Sequence, residues 1–107
     1  MSRVFLFEET DFDTRSALEH GDFVYVFQDT IRPSIWSTRI FEQQFLERIR
    51  LLQFDKRRDK FLMLGTAVPN ILITSFLIKE FEWFDALLFS STTRSYVLRT
   101  LGNTGLR

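Results

Sequence analysis

Charged and hydroxyl side chains gather at three places in this chain, and each grouping suits a particular chemistry. Ser90-Ser-Thr-Thr93-Arg94 follows a short apolar run. Hydroxyls, an Arg and helix N-terminal amides at the carboxyl end of a strand can together hold an anion, although the same residues also make ordinary helix caps. Asp85 opens that run and has the chemistry of a nucleophile or base, or of a simple partner for a nearby Arg. Lys56, Arg57, Arg58 and Lys60 alternate with Asp55 and Asp59 in a short loop. Such a loop can contact nucleic-acid phosphates without reading sequence. It can equally be a solvated connection.

Other chemistries lack their parts. There is no Cys, so disulfides, thiolate zinc sites and thiol nucleophiles are excluded. His20 stands alone before Gly21 and reads as the last turn of a short helix stopped by the glycine. No Gly-x-Ser-x-Gly elbow occurs. Gly65-Thr-Ala-Val-Pro69 has one glycine where a phosphate loop needs several, and Pro69 removes an amide such a loop would use. No metal or cofactor is expected, nor a small-molecule substrate. Trp36 and Trp83 read as core or interface anchors.

The chain has 107 residues, 45% hydrophobic, with 13 Phe, which suits one domain and a modest core. That domain is expected over 1–107, with an acidic segment at 1–22 and a strand-and-helix repeat over 23–107. The longest apolar region, 68–78, falls short of the roughly 18 residues that span a bilayer, so a soluble or peripheral protein is expected. The opening residues 1–7 lack both a basic leader with an apolar core and an Arg/Ser-rich presequence. An organellar protein of this kind would be made in place or imported without a cleaved signal. Lys plus Arg and Asp plus Glu each total 14, for no net charge, but residues 1–31 are acidic and the remainder basic. Arg outnumbers Lys, which favours bidentate contact with phosphate or carboxylate; the two halves could also simply face each other.

The elements that must position these groups follow from apolar patterning. Runs at 23–27, 60–65 and 85–90 are apolar on both faces, and helical spacing follows each one. A parallel sheet covered by helices requires this alternation. Strands are predicted at 4–7, 23–27, 61–64 and 86–89. Pro33 and Ser34 are expected to open a long helix to about residue 54, with Phe41, Phe45, Ile49 and Leu52 on one face. A turn at 66–70 with Asn70 as cap leads to a helix over 71–81, despite its β-branched residues, because parallel strands need a crossover. A last helix is predicted over 94–101, stopped by Gly102-Asn103. The fold class is therefore α/β: a small parallel sheet of three to four strands flanked by helices, a Rossmann-like three-layer arrangement.

Laid in this order, the segments resemble two families. Phe61-Leu-Met-Leu-Gly65-Thr66, after a long amphipathic helix and a strand at 23–27, is similar to the strand entering a Gly-Thr turn in the ribosomal small-subunit protein "two" family. Asp29-Thr30 resembles that family's acidic residue and Lys-Thr pair. At the C-terminus, Tyr96-Val-Leu-Arg99-Thr-Leu-Gly102-Asn-Thr104 resembles its aromatic-Val, Arg-Trp-Leu-Gly-Gly segment, with Thr100 and Asn103 as departures. Alternatively, Phe84-Asp-Ala-Leu-Leu-Phe89 resembles its Pro-Asp-Ala-Leu strand, which a helix follows. The first match requires 95–98 to be extended. The resemblance covers 23–107 without the family's coiled-coil insertion, in a chain much shorter than typical members. It implies a reduced, mitochondrial small-subunit protein that bridges ribosomal RNA and neighbouring proteins. Lys56, Arg57, Arg58, Arg94 and Arg99 are the candidate RNA contacts.

The second resemblance is to the tRNA-guanine transglycosylase type of barrel. Leu62-Met-Leu-Gly65-Thr-Ala-Val-Pro69 and Trp83-Phe84-Asp85 with Thr93-Arg94 carry it. It matches Asp85 to the nucleophile, but the zinc-ligand Cys residues are missing and only a few of eight barrel strands are available. It implies a relic or an interaction module. An adaptor subunit of another complex, bound through the acidic segment and exposed aromatics, is the third possibility.

Overall fold

Backbone pairing follows the apolar runs closely. The computed structural model describes residues 2–8, 15–28, 33–64 and 67–103. Strands β1 (Arg3–Glu8), β2 (Asp22–Phe27), β3 (Lys60–Met63), β4 (Trp83–Ser90) and β5 (Ser95–Gly102) form one sheet in the order β2-β1-β3-β4-β5. The first four are mutually parallel, and β5 returns antiparallel to β4. The fold is thus α/β, with five strands among the described residues rather than three to four.

From β1 the chain steps outward to β2, then back across to β3 and β4 on the other side. With right-handed crossovers, opposite directions of travel put the connections on opposite faces. The packing agrees. Helices α1 (Thr38–Leu51) and α2 (Ala67–Phe81) both cover the face that carries Phe5, Phe61, Phe84 and Ala86. Among the described residues, the reverse face, with Val4, Leu6, Leu62, Leu87 and Tyr96, is covered by the 3-10 helix Arg15–His20, which inserts Ala17. Among the described residues the expected three layers are therefore two, plus one short turn of helix.

The helix-covered core is built from phenylalanine. Phe41 and Phe45 of α1 lie four residues apart and Phe76 of α2 fills the groove between the helices, with ring centroids 5.6 to 6.3 Å apart. Phe45 also meets Phe61 of β3 at 5.9 Å. These side chains are buried, and rings of this size contribute most of the apolar area a small domain can remove from water.

Helix boundaries differ from expectation. Helix α1 starts at Thr38, with Ser37 in extended N-cap conformation, and the segment from Pro33 precedes it. It ends where Gln53 turns to φ 56°. Helix α2 starts at Ala67, so Asn70 lies within it and accepts the Thr74 hydroxyl at its carbonyl instead of capping. Pro69 is buried in the first turn, where its missing amide costs nothing. The helix expected over 94–101 is absent: 91–94 form a hairpin turn and 95–102 are strand. Both C-terminal matches therefore fall on strands, and no helix follows the second. The acidic stretch at 9–13, Asp29-Thr30, Gly65-Thr66 and the tail 104–107 lie outside the described residues.

Two glycines allow close approaches. Gly21, at φ 146°, brings β2 beside β1, and a Cβ there would lie 2.4 Å from the Ser2 carbonyl oxygen. Gly102, at φ 110°, would meet the Glu82 carbonyl oxygen at the same distance. Among the described residues, no helix is long and apolar enough to cross a membrane.

Candidate nucleic-acid interface

The basic loop enters the sheet at the amino end of β3, and its geometry centres on Asp59. That carboxylate is fully buried. It accepts from Arg3 at 3.3 and 2.8 Å, from Arg58 at 3.1 and 3.4 Å, and from the Asp55 amide at 2.8 Å. Burial alone would push the Asp59 carboxyl up. The hydrogen bonds from Arg3, Arg58 and the Asp55 amide outweigh it and hold the carboxyl below its ordinary range. The same hydrogen bond and charge raise Arg58.

Arg3 carries the network further. Its two terminal nitrogens donate to the carbonyls of Leu52, at 2.9 Å, and Gln53, at 2.7 Å. Leu52 is the C-cap of α1 and Gln53 follows it, so the guanidinium closes off the end of that helix. One guanidinium thus joins the first strand, the end of α1 and the entry to β3. Its role was not legible in the sequence, because Arg3 and Asp59 are 56 positions apart.

Of the five candidate RNA contacts, two are largely committed to the fold. Arg58 pairs with Asp59. Lys56 donates to the Phe81 carbonyl at 2.5 Å and stands over the Trp83 ring, 4.8 Å from its centroid. Arg57 is exposed, and its backbone amide bonds the Asp55 carboxylate at 3.0 Å. Arg94 is exposed in the β4–β5 turn at φ 53°, and Arg99 is exposed on β5 opposite Ala86.

These residues do not form one patch. The loop lies near Trp83, at the start of β4, whereas Arg94 follows its far end. At about 3.3 Å per residue, eight residues separate the two by more than roughly 20 Å. Arg99 stands between them along the outer strand.

The expected anion cradle is also different. Ser90 Oγ accepts the Thr93 amide at 3.4 Å, and the Thr93 and Ser95 hydroxyls share a 2.8 Å hydrogen bond. These hydroxyls close a hairpin, and no helix begins there. Asp85 accepts the Thr100 hydroxyl at 2.6 Å across the β4–β5 pair. That bond was missed because 94–101 read as helix. Trp36 is 85% exposed and outside the core, while Trp83 is partly buried under Lys56.

Comparison with family models, curated proteins and solved structures finds no match.

Proposed function

We propose that the chain is a non-catalytic structural subunit of a ribonucleoprotein, in its specific form a reduced mitochondrial small-subunit ribosomal protein that bridges ribosomal RNA and neighbouring proteins. The observation that carries this reading is the fate of the chemically capable groups. Asp59 is spent on two arginines and Asp85 on a threonine hydroxyl, while Arg57, Arg94 and Arg99 stand exposed on well-anchored backbone. Separated cations on a rigid frame suit contact with several phosphates of a folded RNA better than recognition of one small anion. The parallel strand-and-helix succession of β1 to β4 is also what the resemblance to the ribosomal family implies.

Binding to structured RNA as a function of salt tests the proposal. Taking away one cation that touches a phosphate lowers the slope of log K against log salt by about one. Arg57→Ala, Arg94→Ala and Arg99→Ala together are expected to flatten the slope by about two to three units with an unchanged fold. Binding that is absent, or indifferent to all three changes, would remove the reading.

An adaptor in another complex is the second reading. The partly uncovered sheet face, where Phe89 is 51% exposed, favours it. Capture of a single protein partner with no RNA would favour it over the first.

A further inference from the structure

We propose that Trp36 is a stacking platform for one unpaired base of RNA, with Arg39 and Arg94 taking phosphates of the same strand. The inference rests on the RNA-binding reading above and deepens it: the RNA that reaches this end of the sheet is single-stranded.

The turn that displays Trp36 is itself fixed. Its neighbour Ile35 packs against the phenylalanine core. The Ser34 amide donates to the Gln44 side-chain carbonyl at 2.9 Å, the Ser37 amide to the Ser34 carbonyl at 3.1 Å, and the Phe41 amide to the Ser37 carbonyl at 2.8 Å. Trp36 is left outside this frame. At 85% it is the most exposed large apolar side chain among the described residues. A ring already held in place loses little freedom when a flat partner stacks on it.

Position brings Trp36 and Arg94 to one end of the molecule. Phe41, five residues on, meets Phe7 on β1 and Phe27 at the end of β2, with centroids 5.8 and 6.2 Å apart. The first turn of α1, and Trp36 before it, therefore lie at the carboxyl end of the parallel strands. The β4–β5 turn that carries Arg94 lies at the same end. The sheet order puts three strand spacings, about 14 Å, between β2 and β4. A few nucleotides of extended strand bridge that distance.

Charge and area choose the occupant. Residues 33–41 contain no carboxylate, and Arg39 is exposed three positions beyond the Trp. A phosphate chain meets attraction there and no repulsion. Of the other apolar residues in 33–41, only Ile40 is strongly exposed, at 47%. This is a narrow apolar target, sufficient for one base and small beside the roughly 800 Å² that a stable protein interface covers on each partner. An unpaired base offers a free face to an aromatic ring, whereas a duplex keeps its bases in its own stack.

Tryptophan emission of the whole protein tests the proposal with two probes. One is a single-stranded oligoadenylate of about 12 nucleotides, within the span that one binding module tracks; the other is the same strand paired to oligouridylate. The single strand should quench the emission and the duplex should not. Trp36→Phe leaves Trp83 as the one remaining indole. It should lose the quenching yet bind the single strand within about threefold of the parent, because Phe also stacks. Trp36→Ala is expected to weaken single-strand binding about tenfold while leaving duplex binding and the thermal unfolding midpoint unchanged. Arg39→Ala should lower the salt slope on the single strand by about 0.7. Emission indifferent to the single strand, equal quenching by the duplex, or a Trp36→Ala chain that binds as the parent does overturns the inference. If structured RNA is still bound through Arg57, Arg94 and Arg99 in that case, the RNA reading survives and Trp36 is left to a protein contact. Failure to bind either probe or structured RNA overturns both.

Discussion

Arg3 and Asp59 form a buried ion pair that ties β1 to the entry of β3 and the end of α1. Removing one partner of a buried ion pair leaves the other charge unmatched and costs about 3 kcal/mol or more. Asp59→Asn is therefore expected to lower the free energy of unfolding in urea by that order. The pH dependence has a definite sign. The folded carboxyl titrates below its unfolded value, so its contribution is fully present above about pH 4, the ordinary carboxylate range. It is lost as pH falls through the lower folded value. Urea midpoints of the parent protein and Asp59→Asn should accordingly converge below about pH 4 and stay apart at pH 6 to 8. Arg57→Ala, at an exposed position of the same loop, should change stability by less than about 0.5 kcal/mol. Were Arg57→Ala as costly as Arg3→Ala, the division of the loop into structural and free cations would be wrong.

At the scale of elements, the β4–β5 hairpin separates two kinds of edge position. The Asn103 amide donates to the Glu82 carbonyl, and bonded and non-bonded pairs alternate from there, so Val97 bonds to β4 and Leu98 does not. A Pro at position 97 removes a ladder amide and should cost about 2 kcal/mol or more, whereas Leu98→Pro should leave the chain's own stability nearly unchanged. Thermal unfolding reads the difference directly. This hairpin is also where sequence patterning gave the wrong element. Ser90 to Arg94 offers hydroxyls that serve a helix start and a tight turn equally well, and nothing in the sequence marks Arg94 as the left-handed residue of that turn. The signal that could have decided it was the β-forming pair Tyr96-Val97. By contrast, β2, β3 and β4 were legible because their runs are apolar on both sides, as strands inside a parallel sheet must be. The four-residue spacing of Phe41, Phe45 and Ile49 likewise revealed the buried face of α1. The candidate site was harder to read. Whether Lys56 and Arg58 are free or engaged depends on Phe81, Trp83 and Asp59 meeting them in space, which local periodicity does not encode.

Across the whole molecule, order should fall from the centre of the sheet to its rims. β1 and β3 are paired on both sides and packed beneath α1 and α2. Their amides should exchange with solvent most slowly, those of the 3-10 helix and the outer side of β5 much faster. Uniform exchange across the five strands would contradict this layered packing. The frame has one face closed by phenylalanine and one closed only in part, with exposed arginines at both ends and along one edge. A component of a larger assembly would present such surfaces, and it would be recovered with that assembly. Sedimentation of a native extract through a sucrose gradient at moderate salt is the most direct test. The account predicts that the chain travels with the small ribosomal subunit and shifts to light fractions after ribonuclease treatment. Migration as free, low-mass protein before any nuclease is added would contradict it.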